Sequence, residues 1–327
     1  MRFTHQLLGT LGLALSCLMN TAAAQSTAPI HLIVPYPPGG GSDFVARTIA
    51  PEMSKALNRT IVIENLSGAG GAIGSQRVLQ RHPDGNTLLL GSPNEVILAP
   101  AVNTALDYKA EDFRLIGPAT ITSQVLVARP TLDVKNADEL IRMARTTSDK
   151  AGISYGSVGI GSLYHVTGAV LAEQTGGHFF HVPYRGAAPL VQDLMGGQVD
   201  IAFLPLAGNV LSLIREGKLK ALGIAEKERN PLAPEIPTLG ESVPELAAFH
   251  YPTWAGLLVR ANTPDETTTQ LQEALAHALN DPKIREAIQA SGSSVGKPLN
   301  LQQAADQYRQ ESAQFQQIVN TQKIAVN

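Results

Sequence analysis

The 327-residue chain has a single cysteine, Cys17, which excludes an internal disulfide and a zinc site built on cysteines. Charge is also scarce: 16% of residues are Asp, Glu, Lys or Arg, against about 25% in an average soluble domain. Twenty-five basic and 28 acidic residues leave a net charge of -3 with no basic block, which argues against nucleic acid as a partner. There is no G-x-x-x-x-G-K-[ST] phosphate loop and no H-E-x-x-H pair. Beyond the amino terminus, no apolar run approaches the roughly 20 residues needed to span a bilayer. Glycine and proline fill the deficit, with 29 and 21 residues, while 44% hydrophobic content is ample for a core. The length favours two domains.

The amino terminus reads as an export signal. Arg2 and His5 precede the apolar run Leu7 to Leu15, and Ala22 and Ala24 meet the small-x-small requirement for cleavage before Gln25. Cys17 fits a lipidation site poorly, because Ala14 stands where a larger aliphatic is usual and apolar Leu18 and Met19 follow. Removing residues 1–24 leaves a soluble, cysteine-free chain, which points to the periplasm of a Gram-negative cell.

After that, a unit of strand, glycine turn and helix recurs. Ile30 to Val34 runs into Pro37-Pro38-Gly39-Gly40-Gly41 and a helical period from Phe44. Thr60 to Glu64 leads to Gly68-Ala69-Gly70-Gly71, and Thr87 to Leu90 leads to Gly91-Ser92-Pro93-Asn94. Ile153 to Tyr155, Phe179 to Val182 and Val199 to Phe203 form a second series. This alternation predicts an α/β protein of two mainly parallel sheets flanked by helices. The stretches Ser123 to Pro130 and Tyr251 to Val259 are candidate crossings. They divide the chain into a discontinuous domain 1 (25–124 plus 250–327) and a domain 2 (125–249), with a ligand cleft between. The amphipathic tail, Pro264 to Leu279 and Leu301 to Val319, is expected to return to domain 1.

Enzymatic motifs are incomplete. A dinucleotide fingerprint from Gly39, Gly68 or Gly159 would need glycine at Phe44, Ile73 or Tyr164. A G-x-S-x-G elbow around Ser157 would need glycine at Tyr155. His178 and His181 alternate to opposite faces of a strand and read as structural.

The turns themselves can bind. A strand entering a helix through glycines leaves backbone N–H groups free at the positive end of the helix dipole, an anion site without lysine or arginine. Four turns share this design: Pro38 to Asp43, Ser67 to Gly71, Gly156 to Ser162 and Pro183 to Gly186. Taken one at a time each is ordinary connection chemistry. Ser42 and Ser162 then read as N-caps, Asp43 as an i,i+4 partner of Arg47, and His165 as a core histidine.

Val34-Pro35-Tyr36-Pro37-Pro38-Gly39-Gly40-Gly41-Ser42-Asp43, with Ala46-Arg47, resembles the opening signature of the Bug receptors, the solute-binding proteins of tripartite tricarboxylate transporters. Similar to the same family are Gly68-Ala69-Gly70-Gly71, Pro83-Asp84-Gly85, Tyr155-Gly156-Ser157, Val182-Pro183-Tyr184-Arg185-Gly186, Gly196-Gly197-Gln198-Val199-Asp200 and Trp254-Ala255-Gly256. The resemblance implies a two-domain periplasmic binding protein fold, type II-like, whose domains are joined by two crossing strands and close on a small carboxylate. It implies ligand contacts from Tyr36, Pro38, Gly39, Gly40, Gly41, Ser42, Asp43, Ala69 and Gly70 in one domain. Ser157, Gly161, Ser162 and His165 oppose them, with Tyr184 and Asp200 nearby. Ser92, after the Thr87 strand, and Gly159, inside the third turn, complete the candidate set. Asp200, being acidic, suits an amine, water or backbone better than a carboxylate. Arg260, Asn262 and Asn65-Leu66-Ser67 depart from the family pattern.

The expected role is capture of a small carboxylate and its delivery to membrane subunits of such a transporter, by a monomer without cofactor, metal or nucleic acid. A receptor presenting its bound state to a sensor kinase, or a hydrolase using Ser157 or Ser162 with His165, are the alternatives.

Overall fold

The computed structural model describes residues 28–147 and 152–324; the expected signal segment lies outside them. The element order is β1 (Ile30–Val34), α1 (Gly41–Leu57), β2 (Ile61–Asn65), α2 (Ala72–Leu79), β3 (Thr87–Gly91), a π-turn (Asn94–Leu98) continuing into α3 (Ala99–Val102), and β4 (Phe113–Thr122). Then come β5 (Gln124–Ala128), α4 (Ala137–Thr146), β6 (Ile153–Ser157), α5 (Leu163–Thr175), β7 (Phe179–Pro183), α6 (Ala187–Gly196), β8 (Ile201–Pro205), α7 (Asn209–Arg215) and β9 (Lys220–Ile224). The chain finishes with α8 (Leu239–Ser242), β10 (Thr253–Arg260), α9 (Asp265–Asn280), α10 (Pro282–Ala290), β11 (Ser294–Val295) and α11 (Leu301–Thr321).

These strands make two sheets, ordered β11-β4-β10-β3-β1-β2 and β7-β6-β8-β5-β9. In the first, β1 to β4 point one way and β10 and β11 the other; in the second, only β5 is reversed. Continuous apolar strands suit sheets covered on both faces. Ile33 and Leu89 enter one core cluster, while Ile30, Leu32, Val34, Leu88 and Leu90 enter another on the opposite face. The second sheet divides likewise, Leu126 and Phe203 on one side and Val125, Ala202 and Leu204 on the other. One cluster runs through both sheets and takes in Tyr308, Phe315 and Val319 of α11. The amphipathic tail therefore packs partly on the first sheet, through α9 and α11 against β4, and partly against α5.

The chain crosses between sheets twice. Ser123 alone separates β4 from β5, and the return from β9 reaches β10 through Tyr251. Buried Gln124 ties the crossings together, its Nε2 donating to the Tyr251 carbonyl (2.5 Å) and to Thr167 Oγ1 (3.2 Å). Trp254 of β10 donates its indole N–H to Glu311 of α11 at 2.8 Å. Among the described residues no helix is long and apolar enough to cross a membrane.

Candidate functional site

The first turn follows β1 and is held by Asp43, not by a capping serine. Gly40 is the N-cap of α1 and makes no side-chain cap bond, so Ser42 lies inside the helix. The Asp43 carboxylate folds back to accept from the Gly39 amide (2.9 Å) and Arg47 Nε (2.9 Å), the expected i,i+4 pair. Its other oxygen accepts from Asn65 Nδ2 (3.0 Å), which also donates to the Tyr36 carbonyl (3.1 Å). These bonds, led by that from Arg47, hold the carboxyl down at about 2. With Asp43 so engaged, the amides of Gly41, Ser42 and Asp43 begin the helix without acceptors among the described residues, as helix starts do.

The second turn follows β2 and lies against Glu95 and Pro35. Gly68, Ala69, Gly70 and Gly71 all have positive φ. At Gly71 (φ +97) a Cβ would stand 2.7 Å from Cβ of Glu95, so only glycine admits the close approach. Glu95, in the π-turn after β3, is fully buried. Its carboxylate accepts from Tyr36 Oη (2.8 Å), from Ser92 Oγ (2.6 Å) and from the Ser92 amide, while Tyr108 Oη donates to its carbonyl (2.6 Å). Burial pushes the carboxyl up to about 7 against the opposing bonds from Ser92 and Tyr36. The hydroxyls of two candidate residues, Tyr36 and Ser92, are thereby directed to a protein carboxylate.

In the second sheet, Ser157 ends β6 and is fully buried. Its Oγ lies 2.7 Å from His181 Nε2 and 2.9 Å from the Gly159 carbonyl, and accepts from the Gly159 amide at 3.2 Å. Ser162 is the N-cap of α5, accepting from the His165 amide (3.3 Å). The Gly161 amide donates to His165 Nδ1 (3.0 Å), so the neutral ring carries its proton on Nε2. The imidazoles of His165 and His181 stack with centroids 3.7 Å apart. Burial pushes both down to about 4, leaving them neutral at neutral pH. Tyr184 follows β7, its amide donating to the Ser157 carbonyl (2.8 Å) and its hydroxyl to Asp193 of α6 (3.0 Å).

The two halves touch. Asn94 Oδ1 accepts from the Leu163 amide at the start of α5 (2.9 Å), and a Cβ on Gly161 (φ +76) would lie 2.4 Å from Val102 of α3. The turns at Tyr36 to Asp43, Ala69-Gly70, Ser92, Ser157 to Ser162 with His165, and Tyr184 thus stand at the carboxyl ends of β1, β2, β3, β6 and β7, where ligands of parallel α/β folds lie.

Asp200 is not brought there. It precedes β8 and accepts from Arg129 Nε (2.8 Å) and from the Ser154 amide and hydroxyl (3.0 and 2.7 Å), at the amino end of β6. At 3.3 Å per residue that is about 10 Å from the Ser157 end. Arg260 and Asn262 line a cavity of about 500 Å³ with Gln76, Asp107 and Tyr108, apart from the turns. Glu95 and Asn94 stand with these turns although the candidate set did not include them, and His181, expected to be structural, meets Ser157. The sequence signal for Glu95 is an acid set directly before the apolar Val96-Ile97-Leu98.

Comparison with known proteins agrees with this architecture. The family model described as tripartite tricarboxylate transporter family receptor matches residues 45–324. The protein BugT of Bordetella pertussis is 31% identical over 292 residues, covering 88% of this chain and 86% of its own. The structure of MatC from Rhodopseudomonas palustris with bound malate superposes with a TM-score of 0.76 at 30% identity, over 90% of this chain and 99% of that one. That of the periplasmic binding protein BugD gives 0.74 at 30% identity, over 91% and 98%.

Proposed function

Because the chain belongs to the tripartite tricarboxylate transporter receptor family, we propose that it is a periplasmic receptor that captures a small carboxylate and hands it to the membrane subunits of such a transporter. The binding unit comprises domain 1 (25–124 plus 250–327) and domain 2 (125–249), closing about the crossing strands. The observation that carries this reading is the set of amides at the start of α1 that have no acceptor among the described residues. Backbone donors at a helix start bind an anion with no charged side chain. Malate in MatC supports a small carboxylate as the ligand class. The first and second turns then hold one carboxylate, and Ser157, Ser162, His165 and Tyr184 close over it from the other domain.

The 2.7 Å contact between Ser157 and His181 raises hydrolysis as a second reading. It is the weaker one: Ser157 is fully buried, and neither stacked imidazole is paired with a carboxylate among the described residues. A triad needs such a carboxylate to orient the base.

The test is a thermal-shift panel of mono-, di- and tricarboxylates and amino acids on protein unfolded and refolded to strip bound ligand. At least one carboxylate should raise Tm by several degrees. Stabilisation by none, or turnover of an ester that is lost on His181→Ala, sinks the receptor reading.

A further inference from the structure

Resting on the reading of a carboxylate gripped between two halves, we propose that Asn94 is a positioning residue. Its side-chain carbonyl caps α5 from the opposite half and fixes the third turn against the first two, so that ligand affinity depends on it without direct contact.

Turns on two sheets grip one small ligand only if the sheets are held at a fixed separation and angle. Two crossing segments alone leave such halves free to move. The stretch from Ser92 to Val102 supplies a further connection. At one end the Glu95 carboxylate accepts from Tyr36 of the first turn and from Ser92, while Gly71 of the second turn closes on its side chain. The adjacent residue, Asn94, reaches the other half instead, where its Oδ1 accepts from the Leu163 amide at 2.9 Å. At the far end of the stretch, Val102 of α3 fills the space that a side chain on Gly161 would need. One continuous piece of the first half therefore touches three of the anion-binding turns.

The Leu163 amide needs an acceptor from outside its own helix. Leu163 is the first residue of α5, and helix geometry gives that amide no partner. The N-cap, Ser162, is committed to the His165 amide, so Asn94 provides what the local sequence does not. Ser157, Ser162 and His165, the groups expected over the ligand, are thereby placed by a residue of the opposite half. Two other bonds join the halves. Gly208 donates its amide to the Ser291 carbonyl (3.2 Å), and Gln322 of α11 meets Glu173 near the carboxyl end of α5 (2.7 Å). The first joins the turn after β8 and the second lies on the surface, so neither holds the third turn.

The experiment combines a distance with an affinity. Spin labels at Arg77→Cys on α2 and Arg142→Cys on α4, both exposed, report the separation of the halves, with Cys17→Ser removing the native thiol. Pulsed dipolar spectroscopy is run on ligand-free refolded protein, and calorimetry is run with malate, adipate and benzoate. Wild type should show one narrow distance, Asn94→Ala a broad or divided one, and Asn94→Asp, which keeps the acceptor, a narrow one. Each acid that binds wild type should bind Asn94→Ala about tenfold more weakly, by a common factor, and Asn94→Asp within about threefold of wild type. An unchanged distance in Asn94→Ala overturns the proposal. So does the weakening of one acid alone, which marks direct contact, or an Asn94→Asp as impaired as Asn94→Ala. Should Asn94→Ala not fold, hydrogen exchange of wild type decides. The Leu163 amide should exchange at least about tenfold more slowly than that of Ala187, the first residue of α6, which has no acceptor among the described residues; equal rates overturn the proposal. If no carboxylate of the thermal panel binds while the distance still depends on Asn94, the receptor reading falls and the positioning role stands.

Discussion

Glu311 offers a sharp test of the energetics at the crossing. It sits half-buried on α11 against β10, with Trp254 Nε1 donating to Oε2 at 2.8 Å. Burial pushes its carboxyl from 4.5 up to about 7, opposed by the Trp254 bond and the neighbouring His250. Between pH 4.5 and 7 the folded chain therefore holds a proton that the unfolded chain has released. Stability falls as pH rises through that window and levels off above it. The full difference is about 3 kcal/mol at pH 8. Glutamine at 311 keeps a carbonyl for the indole N–H and never ionises. Glu311→Gln should thus raise stability by no more than about 1 kcal/mol at pH 5 and by about 3 kcal/mol at pH 8. At about 2–4 °C per kcal/mol, the gain in Tm is about 6–12 °C. Thermal unfolding of both proteins without ligand at pH 5, 6.5 and 8 measures it. Glu95 titrates in the same window but is common to both, so the difference between them isolates Glu311. A variant that loses stability at pH 8, or is shifted equally at pH 5 and pH 8, refutes the reasoning.

Asp43→Ala leaves the Gly39 amide, Arg47 and Asn65 without their acceptor; urea unfolding should show a loss of about 1–3 kcal/mol, with carboxylate affinity falling alongside. In wild type the stability that Asp43 contributes is present above its unfolded range near 4 and is lost as pH falls towards 2, so acid titration of Asp43→Asn should be flatter there. Gly161→Ala sets a Cβ 2.4 Å from Val102 at a positive φ; ligand affinity should drop at least tenfold, and adding Val102→Ala should restore part of it. Asp200→Asn should lower stability by about 1 kcal/mol while changing carboxylate affinity less than twofold, because its partners Arg129 and Ser154 lie at the other end of the sheet. A large affinity loss in Asp200→Asn would return that residue to the site.

Local signals in the sequence reach some of these features and not others. Apolar runs such as Leu88 to Leu90, punctuated by glycine and followed by a helical period, specify strand, turn and helix through short-range sterics alone. The two crossings are readable because β5 and β10 are extended segments without an adjoining glycine turn. Long-range partners are not readable. Tyr36 meets Glu95 across 59 residues, and Ser157 meets His181 across 24. Alternation along a single strand says nothing of the neighbouring strand that brings Ser157 to His181. Ser42 fits an N-cap by type, but Gly40 takes that place because Asp43 reaches back to Gly39. Its motif groups Asp200 with the cleft, but a motif does not tell whether a residue stands at the amino or carboxyl end of its strand.

The scarcity of charge acquires a physical role in this arrangement. Amides at helix starts are fixed by the fold and indifferent to the body of the ligand beyond its carboxylate, so they can give affinity for an anion without choosing among anions. The groups behind them set the shape and the field of the turns. Asp43 is neutralised where it stands by Arg47, Gly39 and Asn65, so it shapes the first turn and adds little net field. Glu95 receives three hydrogen bonds and pairs with no cation among the described residues, so its charge depends on pH. Two carboxylates beneath one set of turns thus have opposite environments, one held ionised and one poised to take up a proton. A change at the first should alter the shape of the site and weaken every ligand alike. A change at the second should instead alter how stability depends on pH, because burial lifts its carboxyl to about 7.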